Sequence, residues 1–173
     1  KGLISKNICK EHLSTVYNLV IISTTTDKKF YFFKQIASKK TKNIFFEKPL
    51  ARSLGDCKRI KIISKKYKIR VGINHQLRHT NQLLVINNIV KKIGNQKLLG
   101  LNIVAGNIGI AMNGIHAIEI FNYLADSNIN KISAILEKKK VFNSRGKKFL
   151  DISGNVFCRN KSNQTLNIST STN

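Results

Sequence analysis

The spacing of apolar and polar positions changes character along the chain. Leu19-Val20-Ile21-Ile22 is short, wholly apolar and β-branched, and it ends in Ser23-Thr24-Thr25-Thr26-Asp27. A parallel strand buried on both faces reads this way, with a polar loop after it. The aromatic-rich residues 30–37 then predict a helix. Asn43-Ile44-Phe45-Phe46 is a second buried strand, stopped by Glu47-Lys48-Pro49. Ser53, with Asp56 three residues later, approximates a capping box. Behind it Leu54, Cys57, Ile60, Ile63 and Tyr67 fall at helical spacing, and residues 69–74 form a third strand. The order β-α-β-α-β with short loops predicts an α/β fold, with a parallel sheet and right-handed crossovers.

Past this point the pattern loosens. Residues 80–93 predict an amphipathic helix with Leu83, Ile86, Val90 and Ile93 on one face. A strand at 98–105, a loop at 106–109 and a helix at 113–125 follow. The core face of that helix is Ala117, Ile118, Phe121, Leu124 and Ala125. From Asn130 the alternation is weak and turns at Asn143-Ser144-Arg145-Gly146, which suggests antiparallel strands of a second domain. The expected division is residues 1–76 and 77–173.

Composition changes this picture less than its charge suggests. The net charge is +23, which invites a nucleic-acid reading. Yet there are 25 Lys against 6 Arg, alongside 25 Ile and 20 Asn, so Lys, Ile and Asn fill 70 of 173 positions. These are the residues of A- and T-rich codons, and mutational bias accounts for the excess. Phosphate and base recognition favours Arg, whose planar fork pairs bidentately. The lysines are also scattered, with Lys138-Lys139-Lys140 the longest run. A basic nucleic-acid binder is therefore the weakest of the readings considered.

Cys9, Cys57 and Cys158 are odd in number and far apart, and are expected to be reduced thiols rather than disulfides or zinc ligands. No HxxxH spacing points to a metal. No apolar run approaches the ~20 residues of a membrane span, and no signal peptide is visible, so the expected location is cytoplasmic. The chain starts at Lys1 and closes on a polar run, and is expected to be an internal piece of a longer protein.

In an open parallel sheet, ligands bind beyond the carboxyl ends of the strands. Residues 23–27, 47–49 and 74–78 are placed there. Lys48 ends an apolar strand, where partial desolvation suits a lysine to relay protons or act as an electrophile. Pro49 fixes the turn after it. The alternative for Lys48 is a surface loop in a Lys-rich chain. His116 is the second candidate, expected in the first turn of the 113–125 helix. Glu119 lies three residues on, on the same helix face, where it can orient the imidazole. Its alternative is a locally satisfied histidine. His12, His75 and His79 carry weaker signals.

Residues 19–24, Glu47-Lys48-Pro49-Leu50-Ala51, Gly72-Ile73-Asn74-His75-Gln76-Leu77-Arg78 and residues 109–123 occur in a recognisable order and spacing. On these motifs, spread over residues 17–151, the chain resembles the glucose–fructose oxidoreductase/inositol dehydrogenase (Gfo/Idh/MocA) family. The resemblance implies the distal half of a Rossmann sheet, followed by the start of an α+β domain with an antiparallel sheet. That second domain would serve substrate binding and homo-oligomerisation. The implied activity is hydride transfer between NAD or NADP and a hydroxyl-bearing carbon of a sugar, cyclitol or sugar nucleotide.

By the same resemblance, Lys48 contacts both nicotinamide ribose and substrate, Glu47 is its cofactor-side neighbour, and Thr24 and Thr25 lie beside the cofactor; Ser23, at the same strand end, is a further cofactor-binding candidate. Arg78 resembles the arginine near the substrate and His116 the catalytic histidine; Asn113 and Glu119, on the helix of His116, are further substrate-binding candidates. There are departures. Met112 stands where the family has Asp four residues before that histidine, and Met cannot relay a proton. Lys29 stands where many members have His. No G-x-G-x-x-G is present, so the 173 residues alone are expected to be inactive. A non-catalytic relative, serving as a binding or assembly module, is the alternative that Met112 favours.

Overall fold

The first three strands are Val20–Ile22 (β1), Asn43–Glu47 (β2) and Arg70–Asn74 (β3), joined by the helices Thr26–Ala37 (α1) and Leu54–Lys66 (α2). In the computed structural model, which describes residues 15–39, 41–93, 98–106, 108–142 and 150–171, these strands make a parallel sheet in the order β1-β2-β3. The pairing runs Ile22 to Phe46, Phe46 to Ile73 and Glu47 to Asn74. The α/β class with a parallel sheet is thus as the periodicity predicts. The chain divides into two compact units, Lys1–Asn74 and His75–Asn173.

Alternate strand residues bury against the helices. Ile22, Ile44 and Phe46 pack with Phe33 and Ala37 of α1 and Ile60 of α2, with Val20 and Val71 at the margin. The Phe33 and Phe46 rings lie 5.7 Å apart. The other set is open: Ile21 is 63% exposed and Phe45 36%. Burial on both faces was the expectation, and it holds for one. An unbroken apolar run shows that a strand is apolar on two sides, not that both sides are covered.

Local signals set the ends of these helices. Ser53 Oγ accepts from the Asp56 N–H at 3.1 Å, as the capping-box spacing predicts, while the Asp56 carboxylate takes the Arg59 guanidinium at 2.6 Å. Helix α1 starts four residues before its expected position. The polar stretch Thr26-Asp27-Lys28-Lys29 reads as loop, yet Lys29 is fully buried.

The second unit opens with a 3-10 turn at Gln76–His79 and the helix Asn81–Lys92 (α3), followed by Gly100–Gly106 (β4) and Ile110–Ala125 (α4). Strands Ile129–Phe142 (β5), Leu150–Asn160 (β6) and Thr165–Ser171 (β7) complete a sheet of order β4-β7-β6-β5. β5, β6 and β7 are antiparallel, as expected, but β4 joins β7 in parallel, so the sheet is mixed. Alternation within a strand reports its faces and not the direction of a neighbour some 60 residues away. The turn expected at residues 143–146 lies outside the described residues. Ala117 and Phe121 of α4 pack on Val156, Cys158, Leu166 and Ile168.

Two helices differ from expectation. The buried stripe of α3 is Leu83 and Asn87 with Val90 half-buried, whereas Ile86 and Ile93 are exposed. Asn87 fits the buried position because its side-chain amide donates to the Tyr123 hydroxyl at 3.2 Å, which satisfies a polar group inside. Helix α4 starts at Ile110 rather than 113. Its first free N–H groups, on Ala111 and Met112, donate to the two Asp151 carboxylate oxygens at 2.7 and 3.0 Å. Gly109 is the N-cap, and a Cβ there would run into that carboxylate. His116 is therefore in the second turn, not the first.

Among the described strands β1 pairs only with β2, and Leu19 and Ile21 are exposed beside it. An apolar strand edge of this kind recruits other chains. The 173-residue chain should therefore elute from a sizing column at micromolar concentration as associated species, and Ile21→Lys should raise the monomer fraction. A sharp monomer peak from the unsubstituted chain would contradict this.

Candidate functional site

Because β1, β2 and β3 are parallel, their carboxyl ends share one edge of the sheet. Glu47 and Asn74 are register partners there, and Ser23 follows Ile22 in the same row. The Asn74 side-chain amide donates to Glu47 Oε2 at 2.8 Å, which fixes the carboxylate. Lys48 and Pro49 are joined by a cis peptide bond. Beneath this turn lies Lys29, whose Nζ donates to Glu47 O and, at 2.6 Å, to Pro49 O. Ser23 is exposed, and Thr24, Thr25, Glu47 and Lys48 are half-buried. Such an edge is polar and partly open.

Thr25 has a local partner as well. Its hydroxyl bonds the Asp27 carboxylate and is the largest cause holding that group below the usual aspartate range. The Asp27 N–H and the charges of Lys28 and Arg52 act in the same direction, and slight burial opposes them.

In the second unit Arg78 leaves the 3-10 turn and meets Glu119 of α4 at 3.1 Å. Its guanidinium also stacks over Tyr123, 5.2 Å from the ring centre. The two substrate-binding candidates Arg78 and Glu119 are thus paired with each other. The Glu119 carboxylate, expected to orient His116, is engaged by an arginine. Asn113 and His116 lie one turn apart on α4, both half-buried, with Met112 before them. Lys48 belongs to the first unit and His116 to the second.

Burial pushes the Cys158 thiol up, and burial with the nearby Asp56 does the same to Cys57. Neither is poised as a nucleophilic thiolate. Cys9 lies outside the described residues. Among the described residues no cluster of His, Cys, Asp and Glu could hold a metal, and no helix is long and apolar enough to cross a membrane. A cavity of about 340 Å³ beside α2 is lined by Leu50, Cys57, Ile60, Ser64, Ile69 and Val71 among others. None of the site candidates faces it.

Sequence reasoning left Asn74 and Lys29 off the list of site residues. Asn74 was readable in principle, since register places strand ends side by side once the sheet is known to be parallel. Lys29 was hidden by the other lysines, because composition carries no signal for which one is buried.

No protein-family model matches the sequence, and no curated protein matches it. Solved structures do. A probable dehydrogenase from Thermotoga maritima is similar with a TM-score of 0.74 at 19% identity, over 93% of this chain and 52% of its own. GenD2 from gentamicin A biosynthesis, in complex with NAD, gives 0.76 at 12% identity, over 96% and 51%. The apo scyllo-inositol dehydrogenase of Lactobacillus casei gives 0.67 at 10% identity, over 94% and 52%. This chain has their fold. It spans about half the length of each.

The strand-edge geometry makes Asp27 a reporter of Thr25. Carbon-detected NMR titration should place the Asp27 midpoint below the ordinary aspartate value, and Thr25→Val should raise it. A carboxyl with a depressed folded pKa adds stability above its unfolded pKa, and that is lost as pH falls through the folded value. An Asp27 midpoint that Thr25→Val leaves in place would contradict the assigned cause.

Proposed function

We propose that this chain belongs to the Gfo/Idh/MocA oxidoreductases, as part of an enzyme that moves hydride between NAD or NADP and a sugar, cyclitol or sugar-nucleotide carbon. The observation that carries this reading is the carboxyl edge of the parallel sheet, where Glu47 and Asn74 pair, Ser23 follows the last residue of β1 and Lys48 follows the last residue of β2. In sheets of this type that edge is where nucleotides bind. The names of the similar structures agree: one was solved with NAD, and another is a scyllo-inositol dehydrogenase. Residues 1–76 would form the distal part of the cofactor domain, and residues 77–173 the start of a substrate and oligomerisation domain in a cytoplasmic enzyme. On their own the 173 residues would be inactive.

The bound nicotinamide would supply hydride acceptor and donor, and the protein's share is position and proton management. Ser23, Thr24, Thr25 and Glu47 would hold the cofactor side, with Glu47 kept in place by Asn74. Lys48 offers its ammonium to the substrate oxygen, on which negative charge builds as the hydroxyl proton leaves. His116 takes the hydroxyl proton. Arg78 and Asn113 bind other substrate hydroxyls, and Glu119 keeps the Arg78 fork oriented. Met112 contributes no acid, so proton handling falls on His116 and Lys48. A second reading follows from Met112 alone: a non-catalytic relative that binds the same class of ligand.

In the intact protein, Lys48→Ala should lower turnover by about 10²-fold or more while cofactor affinity stays within a few-fold, since its interaction strengthens in the transition state. Loss of cofactor affinity with turnover preserved would make Lys48 a binding residue only. His116→Asn should cost about 10²–10⁴-fold. A base must be neutral to accept the proton, so the oxidation rate of the unsubstituted enzyme should rise with pH as the imidazole deprotonates. The variant should lose that rise. Near-normal rate with an unchanged pH profile would remove His116 from the mechanism.

A further inference from the structure

We infer that Lys29 is a positioning residue for Lys48: its buried ammonium holds the carbonyls on either side, Glu47 O and Pro49 O, and so sets the turn from which Lys48 departs. The inference rests on the proposed role of Lys48, and nothing in the sequence marked Lys29 for it beyond an unusual residue at its position.

Lys29 is fully buried, whereas the other lysines of described burial are exposed apart from the half-buried Lys48. Burying an ammonium is costly unless its donors are satisfied. Nζ carries three donors in tetrahedral directions, and two of them take carbonyls two residues apart in sequence. That spacing brackets Lys48. One cation reaching from α1 thereby fastens the end of β2 and the residue after the cis bond to the same point. Lys29 shares the buried side of α1 with Phe33 and Ala37, so the anchor is set in the packed side of the helix. Glu47 has a separate restraint, the Asn74 amide at 2.8 Å. Lys29 therefore bears on the backbone around Lys48 more than on the carboxylate beside it. Small displacements of a reacting group cost far more rate than binding.

The test is a double-substitution cycle in the intact protein loaded with NAD or NADP, whichever supports turnover, measuring turnover and cofactor affinity. Lys29→Met keeps the length and apolar stem but removes the donors. It should lower turnover by about 10-fold or more, with cofactor affinity changed by about threefold or less, the split expected when position is lost. If Lys29 works through Lys48, the pair Lys29→Met and Lys48→Ala should be no slower than Lys48→Ala alone. Lys29→Gln, which retains a shorter neutral donor, should recover part of the rate, and it gives a second reading if the Met variant fails to fold. Losses that multiply in the double variant would overturn the inference and leave Lys29 as a structural residue. Normal turnover in Lys29→Met with a slow Lys48→Ala would overturn it while the catalytic reading stood. A fast Lys48→Ala would instead remove the role of Lys48 itself, and the inference with it.

Discussion

Parallel pairing is the constraint on which the first unit depends. Strands that run the same way must finish on the same edge, so whatever residue follows each strand is delivered to one place. Here the consequence is specific: Glu47 and Asn74 are register partners, and their side chains bond directly. The apolar side of the same strands drives the pairing, through Ile22, Ile44 and Phe46 against Phe33, Ala37 and Ile60. Core and site are thus two ends of one arrangement. The Lys29 anchor adds the part that pairing cannot supply, since the turn after β2 leaves the ladder and its carbonyls need other partners.

The second unit uses long-range polar contacts for the same end. The start of α4 is set by Asp151, forty residues later in the chain, whose carboxylate satisfies two N–H groups of the first turn and sits against Gly109. Arg78 is held by Glu119 and by the face of Tyr123, and Tyr123 accepts from Asn87 of α3. These contacts join the 3-10 turn, α3 and α4 around the helix that carries Asn113 and His116. A carboxylate at a helix N-terminus also complements the helix dipole.

How much of this was legible in the sequence depends on whether the cause is local. Strand and helix identities in the first unit followed from the apolar runs and from Ser53, whose cap forms as spaced. The early start of α4 was not legible, because its cap comes from Asp151 and no local residue announces it. Asn87 in the buried stripe of α3 was hidden for the same reason, since its partner lies 36 residues away. The open face carrying Ile21 and Phe45 could not be read either, as an apolar run looks the same whether one side is covered or two. Of the candidate site, Glu47 and Lys48 were visible as polar residues stopping an apolar strand. Lys29 was marked only as a departure from the family it resembles, and its burial was not legible among 25 lysines.

The central claim is that the intact protein moves hydride from a hydroxyl-bearing carbon to a nicotinamide. The most direct measurement is isotope transfer: incubation with NAD or NADP and ring-deuterated hexoses and cyclitols, including scyllo-inositol, followed by NMR of the recovered cofactor. The account predicts one deuteron at the reacting ring position of the nicotinamide, matched by one carbonyl formed on the substrate. Recovery of unlabelled cofactor from every substrate of the set, by a protein that binds the cofactor, would contradict it.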